Sequence, residues 1–183
     1  ANDYQGGGNI VLCWRPTDLL TPRGWSLLLQ AVDQLSDSKG KSVTWFAFHA
    51  NQDVNLLRTL SQKGLVPKRL EANSSTIIAK NIQHAQDIFS DASLVVAMRL
   101  HAFILSTVSQ CPTVALSYDP KVEAAAQTAD APWLDLAHLP SLERIISQWS
   151  DCMSQIPSKS PLQSIQRQAY KHEQVLKSTL NDI

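Results

Sequence analysis

The sequence contains no apolar run close to the roughly 20 residues of a membrane-spanning helix, and residues 1–4 lack the pattern of a signal peptide. It has no excess of either charge, because 16 lysines and arginines face 16 aspartates and glutamates. A balanced charge removes any global electrostatic argument for nucleic acid or for an acidic membrane surface as a partner. We therefore expect no nucleic-acid partner and no transmembrane segment, and any basic site must be local.

Cysteine is also scarce, with three residues that are widely spaced among apolar neighbours: Cys13, Cys111 and Cys152. An odd number at such distances fits neither a disulfide framework nor a zinc site. We expect three reduced core cysteines of a cytoplasmic protein. No cluster of side chains has metal-ligand spacing, so the sequence predicts neither a metal site nor a cofactor.

Strands and helices alternate along the 183 residues, which is typical of one doubly wound α/β domain with a Rossmann-like parallel sheet. The predicted strands cover residues 10–14, 43–48, 65–70, 93–98, 113–116 and 132–136. Predicted helices run over residues 22–39, 51–63, 80–89 and 142–153, and two more follow residues 99 and 119. Residues 71–76 are predicted to form a polar loop.

Basic side chains follow a buried strand at Arg99. The apolar run over residues 93–98 predicts a strand covered on both faces, and a helical stripe begins at Leu100. Arg99 and His101 are then expected in the first turn of that helix, where its dipole disfavours positive charge by about 0.3–1 kcal/mol per charge. Two basic residues there suggest a bound phosphate or carboxylate.

A second turn repeats this arrangement after residues 113–116. Asp119 and Pro120 are typical of a helix N-cap and a first helical residue, which places Lys121 at the positive end of the next helix. Because the carboxyl ends of neighbouring parallel strands share one crevice, we expect Arg99, His101 and Lys121 to face a common small anion.

These two turns carry a family resemblance. The segments VAMRLHA at residues 96–102 and VALSYDPKV at residues 114–122 resemble the signature of the polysaccharide pyruvyltransferase family, in particular its bacterial cell-wall members. The segment LCWRP at residues 12–16 is similar to the strand and Arg-Pro turn of that family. Ala97 departs from it, since the family more often has Gly there.

The resemblance implies a domain arrangement and a reaction. Such enzymes resemble two-domain GT-B glycosyltransferases, so residues 10–157 would form the donor-binding half. Residues 1–9 would be a flexible linker, and residues 158–183 a terminal helix that packs on an amino-terminal domain outside this chain. The implied donor is phosphoenolpyruvate, the implied acceptor a sugar or lipid-linked saccharide, and the implied location the cytoplasm, peripheral at the inner face of the membrane.

The resemblance also implies roles for individual residues. Arg99, Leu100 and His101 would bind phosphoenolpyruvate, and we expect His101 to act as general acid. Arg15, at the carboxyl end of the first strand, could grip a carboxylate or phosphate. Lys121 would stabilise charge on the departing phosphate.

Structural alternatives stay open for these residues. Arg99 could be a surface cation on the rim of the crevice, His101 a structural histidine, and Lys121 a solvated charge. Ser117 and Tyr118 are candidate substrate contacts, although Tyr118 could equally pack beneath its loop.

Two rival functions are also compatible with the sequence. One is a GT-B glycosyltransferase that uses a nucleotide-sugar, although the sequence has no glycine loop after a strand. The other is an anion-binding Rossmann-like module without catalysis. His49, which follows another predicted strand, could face the crevice or serve a structural role.

Overall fold

The structure is a computed structural model that describes residues 5–155. The predicted terminal helix over residues 158–183 lies outside the described residues. The six strands are β1 (Ile10–Cys13), β2 (Val43–Ala47), β3 (Ser74–Ile78), β4 (Leu94–Ala97), β5 (Thr113–Ser117) and β6 (Trp133–Asp135). The helices are α1 (Pro22–Lys39), α2 (Ala50–Asp53), α3 (Leu56–Gln62), α4 (Lys68–Ala72), α5 (Ile82–Asp91), α6 (Leu100–Val108), α7 (Pro120–Thr128) and α8 (Leu142–Ser154).

One parallel sheet organises these elements in the order β3-β2-β1-β4-β5-β6. β1 pairs with both β2 and β4, and every strand pair is parallel. The strand order reverses between β1 and β4, and ligands of such sheets bind outside the carboxyl ends at that point. The predicted doubly wound, Rossmann-like architecture is confirmed.

Both faces of the sheet are covered by helices. Side chains alternate across a strand, so Ile10 and Leu12 join the core beneath α1 and α8, and Val11 and Cys13 join the core beneath α5 and α6. Every residue of β1 is buried, as in a parallel sheet covered on two sides. Within residues 5–155, no helix has the length and apolarity needed to cross a membrane.

The third strand is not where the sequence pattern predicts it. Residues 65–70 lead into α4, with Pro67 as its N-cap, and β3 lies within and beyond the predicted polar loop over residues 71–76. The prediction of a strand at residues 65–70 is wrong. The true strand, β3, was not recognised because it is an edge strand made largely of Ser and Thr. Two of its five positions are half-buried and three are exposed, so it lacks the apolar pattern used to recognise buried strands.

The single helix predicted over residues 51–63 is also wrong. It is interrupted at Val54 and Asn55, which separate α2 from α3. The backbone N–H of His49 donates to Asp53 Oδ2 over 2.9 Å, which ties the short helix α2 back to the end of β2. This break places Asp53 beside the carboxyl edge of the sheet.

The chain before β1 is hydrogen-bonded to the end of α5. The N–H groups of Gln5 and Gly6 donate to the Ser90 carbonyl at 2.9 and 3.2 Å, and Gly8 N–H donates to the Asp91 carbonyl at 2.8 Å. A Cβ at Gly8 would lie 2.5 Å from Asp91 Oδ2, so this close approach requires glycine. The predicted linker over residues 1–9 and the domain boundaries stay predictions.

Candidate functional site

The candidate site lies at the carboxyl edge of the sheet, where β1, β2, β4 and β5 end. Arg15 follows β1, His49 follows β2, Arg99 follows β4 and Tyr118 follows β5. Since these strands are neighbours in the order β2-β1-β4-β5, their ends open on one crevice. The predicted convergence of the two turns is therefore present at the level of the backbone.

Arg99 is buried and paired with a carboxylate. Its Nε donates to Asp53 Oδ2 over 3.2 Å, and its Nη2 donates to Asp53 Oδ1 over 2.6 Å. Nη2 also donates to Gln52 Oε1 over 2.8 Å. The Arg99 side chain is 10% exposed and that of Asp53 1%, so the alternative of a surface cation on the crevice rim is wrong.

Because of this pairing, Arg99 is not the uncompensated cation in the first turn of α6 that the sequence predicted. Arg99 is the N-cap of α6, one position before its first turn, and its charge is compensated within the chain by Asp53. Arg99 and Asp53 are 46 residues apart, and no local pattern connects them. The only available sequence signal is the position of Asp53 shortly after a predicted strand, where polar residues reach the same edge.

His49 lies within electrostatic reach of the same cations. Partial burial lowers the pKa of its imidazole, and the positive charges of Arg99 and Arg15 lower it further, although Asp53 opposes them. The pKa of His49 therefore falls below the usual 6.5, so a smaller fraction of its rings is protonated near neutral pH than in free histidine. His49 thus belongs to the electrostatic environment of the crevice.

Arg15 and Tyr118 form a bridge across the crevice. Arg15 Nη1 donates to the Tyr118 hydroxyl over 3.1 Å, and the Arg15 Cζ lies 4.8 Å from the centre of the Tyr118 ring. A guanidinium at this distance from an aromatic ring is attracted to its π electrons. The bridge connects the ends of β1 and β5 past the intervening β4 and fixes the direction of the Arg15 guanidinium.

The turn after β5 presents Lys121. Asp119 accepts the backbone N–H of Lys121 over 2.8 Å, and Pro120 is the first residue of α7, so the predicted cap is confirmed. The buried Ser117 hydroxyl donates to the Asp119 carbonyl over 3.1 Å, which orders this turn from below. Lys121 is exposed in the first turn of α7.

The amino terminus of α6 has no side-chain cap, in contrast to α7. The N–H groups of a first helical turn have no acceptor inside the helix and carry the positive end of its dipole. Leu100 and His101 lie in this turn, and both are half-buried. An anion at this point would meet the positive end of the α6 dipole as well as the cations around it.

The segment that carries this geometry matches a known family. The family model described as polysaccharide pyruvyl transferase matches residues 10–120, which is more than half of the chain. The chain belongs to this family. The match includes the ends of β1, β2, β4 and β5, and it ends one residue before Lys121.

Solved structures share the fold of this polysaccharide pyruvyl transferase family member. A mutant O-GlcNAc transferase from Thermobaculum terrenum superposes with a TM-score of 0.50 at 10% identity, over 99% of this chain and 38% of that one. WaaG, a glycosyltransferase involved in lipopolysaccharide biosynthesis, gives a TM-score of 0.50 at 12% identity, over 96% of this chain and 45% of that one. No curated protein matches the sequence.

The chain thus spans less than half the length of these two glycosyltransferases. This ratio agrees with the expected Rossmann-like half of a GT-B fold. At 10% and 12% identity the likeness concerns the fold alone.

Proposed function

We propose that this chain forms the donor-binding half of an enzyme that transfers a pyruvyl group from phosphoenolpyruvate to sugar hydroxyls. The acceptor is a cell-surface polysaccharide or its precursor, and the product is a pyruvate ketal. The observation that carries the proposal is the meeting of Arg15, Arg99 and the uncapped start of α6 at one crevice inside the family match.

Phosphoenolpyruvate has the charge that this crevice fits. It is a small anion with a phosphate and a carboxylate, and each group needs donors of its own. Arg15 and Arg99 reach the crevice from adjacent strands, and Lys121 stands on the next turn. The start of α6, which has no side-chain cap, adds the positive end of a helix dipole suited to a phosphate.

The reaction requires one acid and several cations. A proton is added to the methylene carbon of the donor, which becomes a methyl group, and a sugar hydroxyl attacks the neighbouring carbon. Phosphate then leaves with the electrons of its bond to that carbon, and a second hydroxyl closes the ketal. Two hydroxyl protons are lost in all: one makes up for the proton added to carbon, and the other is taken up by the released phosphate.

His101 is the proposed acid, since imidazole is the side chain that most often serves as a general acid. Lys121 stabilises the charge that develops on the departing phosphate. Arg15, oriented by Tyr118, and Arg99 hold the donor, while Ser117 shapes the turn that carries Lys121.

The setting of the reaction follows from the same proposal. In the complete enzyme, an amino-terminal domain forms the other wall of the active-site cleft. The donor-binding domain is inactive without it. It requires no metal or cofactor besides the donor. A lipid-linked acceptor would place the enzyme in the cytoplasm at the inner face of the membrane.

The test is turnover of the complete protein with phosphoenolpyruvate in deuterated water, using methyl hexopyranosides as acceptors. We expect a ketal whose methyl group carries one deuterium from solvent. His101→Gln should lower kcat by on the order of 10²–10⁴. His138→Gln is the control, because His138 is largely exposed beyond β6 and paired with Asp135.

Two results would contradict this account. Full activity of His101→Gln would remove the general-acid role. Transfer of a glycosyl group from a nucleotide-sugar, with phosphoenolpyruvate inert, would replace the pyruvyl donor with that of a glycosyltransferase.

A further inference from the structure

The hydrogen bonds between Asp53 and Arg99 constrain the guanidinium more tightly than charge compensation alone requires. The carboxylate uses both oxygens to hold Nε and Nη2 of one guanidinium, and the Gln52 amide oxygen holds Nη2 a third time. Bidentate pairs of this kind fix the plane of the guanidinium as well as its position. Arg99 can therefore neither rotate about its end nor retract without breaking these bonds.

We propose that Asp53 is a positioning residue that presents one nitrogen of Arg99, Nη1, to the donor. This inference rests on the proposed function, because it assigns a role to Asp53 in the same donor site. Of the five N–H groups of a guanidinium, Asp53 and Gln52 engage three. The two on Nη1 have no hydrogen-bond partner among the described residues.

Asp53 is itself fixed from the other side. Its Oδ2 accepts the backbone N–H of His49, so the carboxylate is attached to the end of β2. Its side chain is 1% exposed, which keeps water from competing for the pair. Through Asp53, the end of β2 therefore orients a cation that follows β4, on the far side of β1.

A consequence follows for how the donor is held. A guanidinium whose Nε edge is occupied cannot make the usual side-on fork to a second carboxylate. Arg99 would bind one anionic group of the donor through Nη1 alone. Arg15, whose Nη1 meets Tyr118, keeps Nη2 for the other group.

The chain offers a matched control for this pair. Asp33 accepts from Nε and Nη2 of Arg69 at 3.0 and 2.8 Å, with the same bidentate geometry. Arg69 is 51% exposed and lies on α4, which leads into the amino end of β3. This pair is thus removed from the strand ends that form the crevice.

The experiment compares Asp53→Asn with Asp33→Asn in the complete protein, with phosphoenolpyruvate varied and kcat and KM measured separately. Misplacing Arg99 should lower kcat/KM for the donor by on the order of 10²-fold in Asp53→Asn. Asp33→Asn should remain within about threefold of wild type, since exposed pairs contribute little. Asp53→Glu should regain part of the loss, because it restores the carboxylate.

A double variant separates positioning from folding. In an Arg99→Lys background the fork is absent, so adding Asp53→Asn should change kcat/KM by less than about threefold. An undiminished loss in that background would show that Asp53 acts through the structure of α2, and would overturn the proposal. So would wild-type kcat/KM in Asp53→Asn. Wild-type protein that neither binds nor consumes phosphoenolpyruvate would instead refute the proposed function.

Discussion

At the scale of single residues, the central feature is a buried ion pair at the edge of a sheet. Removing both charges from water is costly, and their attraction offsets that cost only when the geometry is good. Asp53 and Arg99 meet this condition through short bonds, bidentate pairing and a third acceptor on Gln52. Removing either residue would leave the other as a buried charge without a partner.

The pair predicts an asymmetric effect on stability. Arg99→Ala leaves the Asp53 carboxylate buried without a cation, which should lower the free energy of unfolding by about 3–5 kcal/mol. Adding Asp53→Asn should recover a large part of that loss, because no buried charge is then left unpaired. Urea unfolding of the single and double variants measures both effects. A single variant within about 1 kcal/mol of wild type would contradict the burial of the pair.

Tyr118 has a separable effect through its hydroxyl and its ring. Tyr118→Phe removes the hydrogen bond to Arg15 but keeps the ring beneath the guanidinium, so KM for the donor should rise up to about tenfold. Tyr118→Ala removes both contacts and should raise KM further. Steady-state kinetics at varied phosphoenolpyruvate measures the two. Wild-type KM in Tyr118→Ala would show that Arg15 needs no support from this side chain.

At the scale of elements, the cations of the site lie at strand ends or helix starts, and Asp53, which pairs with Arg99, is the last residue of α2. α7 begins with a side-chain cap and a proline, and both were readable from the sequence because their signals are local. The helical period after Leu100 likewise predicts α6. The break between α2 and α3 was not predictable, because the contact that fixes Asp53 there involves β2 and Arg99.

The cap of α7 allows a test of an element's contribution to the site. Asp119→Ala should lower the free energy of unfolding by about 0.5–2 kcal/mol and also raise KM for the donor, because Lys121 is the residue whose N–H it holds. Asn81→Ala removes the corresponding cap of α5, where Asn81 accepts the His84 N–H over 2.8 Å. It should lower stability alone. Equal KM values in the two variants would show that Lys121 does not contribute to donor binding.

At the scale of the whole molecule, the sheet order and its two covered faces determine where the site is. The alternation of elements predicted this architecture and a crevice at the carboxyl ends of neighbouring strands, and the structure adds the strand order and its reversal between β1 and β4. β3 was missed because an exposed edge strand need not be apolar. Asp53 was missed because long-range pairing leaves no spacing in the sequence, whereas Arg15, Arg99 and Tyr118 follow recognisable strands.

The three buried cysteines predict a loss of stability at alkaline pH. Burial raises the pKa of the Cys152 thiol to about 12, and raises those of Cys13 and Cys111 well above their usual value. Above about pH 8.5 the unfolded thiols ionise while the folded ones remain protonated, so stability falls as pH rises. Each thiol should contribute a slope of up to about 1.4 kcal/mol per pH unit.

The measurement is the free energy of unfolding at about pH 8 and about pH 10, under reducing conditions, for wild type and Cys152→Ala. The variant should show a smaller decrease between the two pH values, whatever its absolute stability. An identical decrease would mean that the Cys152 thiol ionises equally in both states.

The most direct test of the account is calorimetric titration of the complete protein with phosphoenolpyruvate, UDP, GDP and inorganic phosphate, repeated on Arg99→Ala and His101→Ala. The account predicts selective binding of phosphoenolpyruvate that both substitutions abolish or weaken strongly. Tighter binding of a nucleotide, or phosphoenolpyruvate binding that both variants retain in full, would contradict the claim that this crevice holds the pyruvyl donor.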